Sequence, residues 1–366
     1  MNFEYQQQSY QISRPTSEKN QSLKAWSAAD EHLLQHLEGN SLENKALVIL
    51  NDRFGFLTCM THSCRPTNIQ TNKSVEKATQ ENLVQNKLEV ADVSFCTPLT
   101  LSEKKLDIGL LKIPKSLDLF RLFLYTLSSN WKEDAVLFCG FMTRHFTPQI
   151  LKIAEEFFEE VEQSRAWKKS RVLTLKTPKA FEKKELIHQI HFEEQVFQQY
   201  AGVFSAKHID YASQFLIENL PMDAKAQRVL DLASGNGVLA AAVRQYNPSC
   251  ALHLVDDSYL AVESSKLNLR APNTFFHCDN TLSSFEDAYF DFVISNPPFH
   301  FEHEINIQPS LDLFKEVHRC LSPEGSFVLV ANKHLNYKTH LSLLFSQISI
   351  VNENNKFVIY ECSNKA

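Results

Sequence analysis

The stretch RVLDLASGNG, Arg228–Gly237, is typical of an apolar strand that runs into a tight turn of small residues. The helical pattern GVLAAAVRQY follows at once, and a second strand, ALHLVDD, covers Ala251–Asp257. Strands that alternate with helices in this way predict a parallel sheet and an α/β architecture. The turn lacks the Gly-Lys-Ser/Thr ending of a P-loop, so it does not predict a triphosphate site.

The same alternation continues to the end of the chain. After the helix SYLAVESSKLNLR, we predict strands at TFFHCDN (Thr274–Asn280) and FDFVISNPPF (Phe290–Phe299). A helix near Leu311–Cys320, a turn at Pro323–Gly325, the strand SFVLVAN and a last strand, NKFVIYEC, follow. Ahead of this half, ELIHQIHFEEQVFQQYAGVFS predicts a strand pair that ends at the Ala201-Gly202 turn.

The first half repeats this order of segments. ALVILNDRFG resembles the strand and turn that end at Gly237, LDIGLLKIPK takes the place of FDFVISNPPF, and WKEDAVLFCG that of the strand after the Pro-Glu-Gly turn. Gly55 and Asp107 are separated by 52 positions, and Gly237 and Asp291 by 54. Three segments in one order with near-equal spacing indicate a duplication. We therefore predict two tandem Rossmann-like domains, residues 1–185 and 186–366.

The two predicted domains differ where the chemistry would lie. Asn51-Asp-Arg-Phe54 replaces the small-residue turn, and Lys112-Ile-Pro114 replaces Asn296-Pro-Pro298. A domain that retains the fold but has lost these polar groups is expected to serve in binding or as a scaffold. We therefore expect the N-terminal domain to be degenerate and the C-terminal domain to be catalytic.

Composition excludes several classes of protein. Hydrophobic residues make up 43% and charged residues 22%, as in ordinary globular proteins. The polar start lacks the apolar segment of a secretory signal, and no run approaches the ~20 apolar residues of a membrane span. Because the eight cysteines are scattered without a C-x-x-C pair, we expect free thiols in a reducing cytoplasm. The histidine pairs His188/His191 and His300/His303 have no zinc-site spacing, so no metal is expected.

The distribution of charge separates the halves. The chain carries a net charge of −6, which alone argues against a nucleic-acid partner. However, residues 1–185 hold 25 Lys and Arg against 23 Asp and Glu, whereas residues 186–366 hold 12 against 20. Between Ser164 and Lys184, one acid, Glu182, stands among eight basic residues: Arg165, Lys168, Lys169, Arg171, Lys176, Lys179, Lys183 and Lys184. This segment is either a solvated linker or a surface that contacts phosphates, with Trp167 able to stack on a base.

Acidic residues at the strand ends predict a nucleoside site. Asp231, Gly235 and Gly237 form a D-x-x-x-G-x-G turn at a helix N-terminus. Asp256, with its neighbour Asp257, ends the next strand, where a carboxylate accepts both hydroxyls of a ribose. Asp279 ends the third strand, near the expected adenine edge. Because no phosphate cradle accompanies these groups, S-adenosylmethionine fits better than NAD or ATP.

The Asn296-Pro297-Pro298-Phe299 segment then predicts the chemistry. The Asn296 side chain offers a carbonyl acceptor, and the rigid prolines direct an adjacent backbone carbonyl into the same cleft. Two acceptors that converge on a planar –NH₂ group orient its lone pair towards an electrophilic methyl, which is catalysis by positioning, at most about 7 kcal/mol. Phe299 can stack on the ring that bears the amine, for about 1–3 kcal/mol. His300 can contact the substrate or assist proton transfer.

The order of these motifs resembles the class I S-adenosylmethionine-dependent amino-methyltransferases. The N-P-P-F-H sequence, the duplicated first half and GVFS (Gly202–Ser205) resemble the bacterial ribosomal RNA guanine-N2 methyltransferases within that class. The segments LKAWSAADEHLLQHL, VILNDRFG, AWKKSR and NNKFV are similar to the large-subunit, RlmG-like branch of this family.

That resemblance covers nearly the whole chain and implies methyl transfer to the exocyclic N2 of one guanine in 23S ribosomal RNA. It also implies a degenerate N-terminal domain that assists RNA binding. Phe204, His300, Lys168, Lys169 and Arg171 are then the candidate substrate contacts. Two positions depart from the family pattern: Ala233 stands where glycine is common, and Phe301 where a glutamine tends to follow the histidine.

Other functions remain open on the sequence. A small-subunit ribosomal RNA methyltransferase would share these motifs. A protein glutamine-N5 methyltransferase also acts on a planar amide, although those enzymes favour tyrosine at the Phe299 position and need no basic segment. A DNA adenine methyltransferase would need a duplex-recognition domain. A non-catalytic RNA-binding assembly factor would not need an intact Asn296-Pro297-Pro298 segment.

Overall fold

The computed structural model describes residues 1–14, 24–180, 186–221, 225–298, 300–301, 304–305 and 307–364. The chain divides into two compact units, Met1–Leu186 and Ile187–Ala366. Each unit contains its own seven-stranded sheet and its own apolar core. No helix in the described part of the chain is long and apolar enough to cross a membrane. All eight cysteines are free thiols, as expected.

The first unit begins with a two-stranded hairpin, β1 and β2, followed by the seven-stranded sheet. Its strands are β1 (Asn2–Tyr5), β2 (Gln8–Gln11), β3 (Leu47–Leu50), β4 (Thr67–Ile69), β5 (Ser94–Cys96), β6 (Leu106–Lys112), β7 (Trp131–Met142), β8 (Phe158–Gln163) and β9 (Ser170–Pro178). Its helices are α1 (Ala28–Glu38), α2 (Phe56–Met60), α3 (Lys73–Gln85), α4 (Leu117–Ser128) and α5 (Pro148–Phe157).

The second unit begins with the expected antiparallel strand pair, β10 and β11. Its strands are β10 (Ile187–Phe192), β11 (Gln195–Tyr200), β12 (Arg228–Leu232), β13 (Ala251–Asp256), β14 (Thr274–Cys278), β15 (Phe290–Ser295), β16 (His300–Phe301), β17 (Glu304–Ile305), β18 (Leu321–Asn332), β19 (Gln347–Glu353) and β20 (Phe357–Ser363). Its helices are α6 (Tyr211–Glu218), α7 (Val238–Tyr246), α8 (Tyr259–Asn268), α9 (Gln308–Cys320) and α10 (Tyr337–Leu341).

The two large sheets have the same topology. The first runs β5-β4-β3-β6-β7-β9-β8 and the second β14-β13-β12-β15-β18-β20-β19. In both, the first five strands are parallel, the sixth (β9 or β20) runs antiparallel to them, and the edge strand (β8 or β19) pairs antiparallel with the sixth. The predicted α/β architecture with two tandem Rossmann-like folds is therefore confirmed.

The central strands are apolar because both of their faces are covered. In β12, Val229 packs in one core with Leu239 of α7, and Leu230 packs in another with Phe314 of α9. Parallel strands with helices on both faces have no solvent-facing side, which explains continuous apolar runs such as LVIL in β3, whose four residues are all buried. This burial fixes the positions of the loops that follow the strands.

The structure differs from the predicted elements in two places. The edge strand β19 was not predicted, because its QISIVNE sequence is mostly exposed and pairs only with β20. Pro323–Gly325 lies inside β18 rather than in a turn, at a register shift against β15 between Phe290 and Phe292.

Part of the basic segment belongs to the sheet and is not a linker. Residues 170–178 form β9, which pairs with β7 and β8 and buries Val172, Leu173 and Leu175. The linker interpretation is therefore wrong for this part of the segment. Glu182, Lys183 and Lys184 lie outside the described residues.

Candidate active site

Four loops of the second unit meet at one edge of its sheet. They follow β14, β13, β12 and β15, which are adjacent and parallel in that order. The carboxyl ends of parallel strands all point to one side, where α/β proteins bind their ligands. The acids and the Asn-Pro-Pro segment predicted from the sequence are therefore brought to one edge.

The turn after β12 depends on backbone that glycine adopts most easily. Ala233, Gly235 and Gly237 have φ values of +58°, +56° and +82°. A Cβ on Gly237 would lie 3.0 Å from Leu269 Cδ1 and from Ser265 Cβ, whereas a Cβ on Gly235 would meet no atom within 4 Å. Gly237 is thus required for helix packing, and Gly235 faces open space. A positive φ is unfavourable for a residue with a Cβ, which gives a physical reason for the glycine that the family pattern has at the Ala233 position.

Asp256 connects this turn to the next loop. Its carboxylate accepts the Gly235 N–H at Oδ2 and the Ser258 N–H at Oδ1, both at 2.8 Å. Burial, only partly offset by these two bonds, raises the pKa of Asp256 from 3.8 to about 6. Each carboxylate oxygen retains acceptor capacity, because an ionised carboxylate has about four lone-pair sites.

Asp231 lies deeper than the sequence indicated. It is fully buried within β12, and its Oδ2 accepts the Ala240 N–H of α7 at 2.9 Å. Its Oδ1 has no hydrogen-bond partner among the described residues, and neither has the buried hydroxyl of Ser234 in the turn that follows. Burial raises the pKa of Asp231 to about 8. Asp231 therefore fixes helix α7 to the strand and leaves one acceptor unused.

The remaining strand-end acids are partly exposed. Asp279 Oδ1 accepts both the N–H and the hydroxyl of Thr281, at 3.0 and 3.1 Å. The Asp279 N–H donates to the Asp256 carbonyl at 3.1 Å, which joins the ends of β13 and β14. The Asp257 carbonyl accepts the Cys278 thiol, with the sulfur 3.7 Å away.

These features fit a nucleoside cofactor with a cationic tail. The open face at Gly235 admits a ligand close to the backbone, and Asp256 and Asp279 supply acceptors. Asp231 Oδ1 and Ser234 Oγ are buried polar atoms that have no hydrogen-bond partner in the described part of the chain. Unpaired buried polar atoms are uncommon in folded proteins and suit a site that a ligand completes.

Asn296 follows β15 and is held by two residues that sequence reasoning missed. Its amide nitrogen donates to Asp210 Oδ2 at 3.0 Å and to Ser213 Oγ at 2.9 Å. Asp210 is the N-cap of α6, where Oδ2 also accepts the Ala212 N–H at 3.0 Å, and Ser213 lies in the first turn. In the sequence, Asp210 and Ser213 form a D-x-x-S pattern after GVFS, which indicates only an ordinary helix N-terminus.

The prolines after Asn296 differ in their surroundings. Pro297 is buried and Pro298 is exposed. The Pro298 carbonyl accepts the Ser310 hydroxyl from the start of α9, which leaves the Pro297 carbonyl as the candidate second acceptor. Phe299 and the side chains of His300 and Phe301 lie outside the described residues.

Exposed aromatic residues precede and begin α6, the helix whose N-cap holds Asn296. Phe204 is 69% and Tyr211 57% exposed, and the Tyr211 ring lies 4.6 Å from that of His208, centroid to centroid. Tyr211 directly follows Asp210, the residue that holds Asn296. Lys207 is also exposed, so this short surface carries rings and a cation.

The candidate RNA contacts of the first unit lie on and beside the turn between β8 and β9. The Lys168 ammonium is 3.0 Å from Glu31 Oε2 and 4.3 Å from the centre of the Trp167 ring. The Trp167 ring also packs on His32, at 5.5 Å between centroids. Lys169 is exposed and Arg171 is partly exposed. Lys168 and Trp167 are therefore engaged in intramolecular contacts.

In the first unit, larger side chains occupy turn positions that are alanine and glycine in the second. Leu50 and Leu232 end equivalent strands, Asn51 has the same φ of +58° as Ala233, and Gly55 begins α2 as Gly237 begins α7. Arg53 takes the position of Gly235. Phe54 takes that of Asn236; its ring is buried and lies 4.8 Å from the Arg53 guanidinium carbon.

The last strand-end position has also changed. Lys112, at the place of Asn296, donates from Nζ to Asp30 at 2.9 Å, and its carbonyl accepts the Asn51 amide at 2.8 Å. These groups are used internally, which agrees with a degenerate site. No cluster of three potential metal ligands occurs among the residues that the structure describes.

Comparison with known proteins places both units. Residues 1–179 match the family described as RLMG N-terminal domain, and residues 194–361 match the Methyltransferase small domain. The Ribosomal RNA large subunit methyltransferase G of Yersinia enterocolitica (serotype O:8 / biotype 1B) is 31% identical over 370 residues, 98% of this chain and 93% of the relative. The protein of that name from Yersinia pestis (strain Pestoides F) is 29% identical over 369 residues, with the same coverage.

A solved structure shares the complete fold. The T. thermophilus 16S rRNA N2 G1207 methyltransferase (RsmC), in complex with AdoMet and guanosine, superposes with a TM-score of 0.78. The match covers 100% of this chain and 98% of that one at 17% sequence identity. At that identity the likeness establishes the tandem fold.

Proposed function

The chain belongs to the family of the ribosomal RNA large subunit methyltransferase G proteins, and from this membership we propose its reaction. It transfers a methyl group from S-adenosylmethionine to the exocyclic N2 of a specific guanine in 23S ribosomal RNA. The second unit carries the reaction and the first unit binds RNA. The protein acts where ribosomes are assembled, in the cytoplasm.

The cofactor supplies an electrophilic methyl group. Asp256 accepts hydrogen bonds from the ribose hydroxyls, and Asp279 with Asp257 lines the adenine side. The open backbone at Gly235 allows the cofactor to approach the turn closely. Asp231 Oδ1 is buried and unpaired among the described residues. The ammonium end favours the ionised form of this carboxyl, because a nearby cation lowers its raised pKa, and the ionised Oδ1 then accepts a hydrogen bond from it.

The observation that carries the proposal is the orientation of Asn296. Both amide hydrogens of Asn296 are taken by Asp210 and Ser213, so the side-chain carbonyl is the group left to meet a substrate. The N2 amine of guanine is planar and offers two N–H donors. Asn296 Oδ1 and the Pro297 carbonyl would accept them and so orient the lone pair of the nitrogen for the transfer. Positioning lowers the barrier. The extra proton is lost to water after the transfer, because the methylated nitrogen is positively charged and strongly acidic, so no strong general base is required.

The exposed aromatic residues that precede and begin α6 bind the RNA around the target. Phe204, His208 and Tyr211 provide exposed rings for unstacked bases, and Lys207 provides a cation for a phosphate. Phe299 stacks on the target guanine, and His300 contacts it from the following residue. Sequence-specific enzymes of this kind act on bases that are extruded or single-stranded.

The first unit contributes RNA affinity. Its internal contacts at Lys112 and Phe54 fill the positions that the second unit leaves open, so it retains the fold without a cofactor site. Lys169 and Arg171 lie on and beside the β8–β9 turn without an ion pair to any described residue, and contact phosphates. Lys168 adds to the same surface while it is paired with Glu31.

Radiolabelled methyl transfer tests the proposal. Deproteinised 23S RNA, assembled large subunits, 16S RNA, duplex DNA and a release-factor protein serve as parallel substrates, with Asn296→Ala as the inactive control. We expect label at guanine N2 in 23S RNA only, and at least a ~10²-fold slower transfer by Asn296→Ala with cofactor affinity within a few-fold. Label in 16S RNA or in protein, but not in 23S RNA, would refute the proposed substrate.

A further inference from the structure

We infer that Asp210 and Ser213 are positioning residues that set the orientation of the Asn296 amide for methyl transfer. This inference rests on the proposed function, because it assigns the support of the proposed acceptor. It concerns two side chains that are 86 and 83 positions away from Asn296 in the sequence.

The two contacts determine which end of the amide faces the cleft. An ionised carboxylate accepts hydrogen bonds and cannot donate one, so the amide nitrogen, and not the oxygen, must face Asp210. A flipped amide would place its carbonyl oxygen 3.0 Å from a carboxylate oxygen and lose the hydrogen bond. Ser213 takes the second N–H at 2.9 Å. With both donors satisfied, Asn296 presents a pure acceptor to the substrate.

Capping of α6 alone does not require this arrangement. The bond from the Ala212 N–H to Asp210 Oδ2 already caps the helix. The buried Ser213 hydroxyl takes no part in the cap, yet it points to the same amide nitrogen. Two acceptors at the start of α6 therefore bind the same NH₂ group. Together they restrict the Asn296 side chain more than either contact would alone.

The first unit supports this reading with a different pair of groups. Its α1 begins after the N-cap Ser27, and Asp30 stands at the third helix position, as Ser213 does in α6. Asp30 Oδ2 accepts the Lys112 ammonium at 2.9 Å, and Lys112 occupies the place of Asn296. The helix start therefore holds the strand-end side chain in both units. In the first unit the pair is a closed ion pair, and in the second it leaves a carbonyl available.

Kinetics of the full-length protein with ribosomal RNA test the inference. Asp210→Ala should lower kcat at least ~10-fold and Ser213→Ala several-fold, with cofactor affinity and RNA KM within about threefold of the wild type. Asp210→Asn should keep at least a third of the activity, since its side-chain oxygen can still accept both the Ala212 N–H and the Asn296 amide. Ser116→Ala, which removes the N-cap of α4 in the first unit, controls for the loss of a helix cap in thermal unfolding.

A double-mutant cycle separates positioning from general damage. If Asp210 acts through Asn296, the Asp210→Ala change should cost less than about twofold when Asn296 is already alanine. The inference would be overturned if the losses of kcat from Asp210→Ala and Asn296→Ala multiplied in the double variant. It would also be overturned if kcat were unchanged in both Asp210→Ala and Ser213→Ala. In either case, methyl transfer by the wild type would still support the proposed function. Ser213→Ala, which leaves the cap intact, keeps the test decisive if Asp210→Ala fails to fold. Lack of transfer by the wild type would refute the proposed function and this inference with it.

Discussion

The Gly235 N–H donates to Asp256 Oδ2 over 2.8 Å, and this bond joins the turn after β12 to the end of β13. The second oxygen of Asp256 accepts the Ser258 N–H, so one carboxylate holds both loops of the proposed cofactor site. The group that would bind ribose is thus already fixed in place by the backbone. A fixed acceptor loses little freedom when a ligand arrives, which favours binding.

Replacement of Asp256 should reduce the affinity for the cofactor more than it reduces the stability of the fold. Asp256→Ala removes a charged acceptor, and we expect a loss of about 1.5–3 kcal/mol in S-adenosylmethionine binding. Asp256→Asn should lose nearly as much, since its NH₂ group must face one of two backbone N–H donors. Calorimetry on folded variants measures both affinities. Unchanged affinity in Asp256→Asn would show that the carboxylate is not part of the site.

The two glycines of the turn should respond differently to a methyl group. Gly235→Ala has space for its Cβ and pays only for its positive φ, about 1–2 kcal/mol, so the protein should fold. The added methyl points into the proposed cofactor space, and we expect at least a ~10-fold loss of affinity. Gly237→Ala meets Leu269 and Ser265 at 3.0 Å and should mainly reduce stability.

Thermal unfolding and cofactor titration of the two alanine variants distinguish these outcomes. A Gly235→Ala protein with wild-type cofactor affinity would place the ligand elsewhere. Equal loss of stability in the two variants would contradict the open space at Gly235.

Burial of Asp231 should make stability depend on pH. Its pKa is about 8 in the folded protein against 3.8 ordinarily, so the folded state holds the proton more tightly. The free energy of unfolding should therefore fall as the pH rises from about 4 to about 8. Asp231→Asn cannot ionise, and its side-chain oxygen can still accept the Ala240 N–H. We expect its stability relative to the wild type to increase between pH 5 and pH 8, by at least about 1 kcal/mol.

Urea unfolding of the second unit at several pH values measures that difference. Asp256 also has a raised pKa and is present in both proteins, so its own titration contributes to both pH curves. Asp256→Asn/Asp231→Asn compared with Asp256→Asn isolates the contribution of Asp231, because, after burial, the Asp256 charge also raises the Asp231 pKa. Parallel pH curves for the wild type and Asp231→Asn would mean that Asp231 stays ionised in the fold.

The sequence was sufficient for the architecture because local patterns determine it. Alternating strands and helices gave both sheets, and the spacing from Gly55 to Asp107 and from Gly237 to Asp291 gave the duplication. The acids at 256 and 279 were placed at strand ends, and parallel pairing brings strand ends together. The edge strand β19 was missed since exposed residues that pair with one neighbour carry a weak pattern.

The parts of the site that the sequence did not reveal depend on contacts distant in the chain. Asp210 and Ser213 look like a helix start, and only the folded structure brings them to Asn296. Trp167 and Lys168 look like free RNA-binding groups, yet Glu31, 137 positions away, pairs with the lysine. Asp231 resembles the other acids in sequence, but its position within β12 buries it beneath α7.

Neutralisation of the β8–β9 surface should weaken RNA binding without affecting the cofactor. Lys169 and Arg171 have no ion pair with any described residue, so their charges are available to phosphates, unlike that of Lys168. The double variant Lys169→Gln/Arg171→Gln should bind ribosomal RNA less tightly at low salt. The log–log salt slope should become shallower by about 0.7–0.9 for each lost phosphate contact. Filter binding at several salt concentrations measures both quantities.

Lys266→Gln provides the matched control for that experiment. It removes a positive charge from the second unit, where the ammonium lies 2.6 Å from Glu263 and is already paired. If net charge alone governs RNA affinity, one such neutralisation should flatten the slope as much as each change at Lys169 and Arg171. If the β8–β9 surface contacts phosphates, Lys266→Gln should leave the slope unchanged and the double variant should not. An unchanged slope in the double variant would assign the first unit to a task other than RNA binding through this surface.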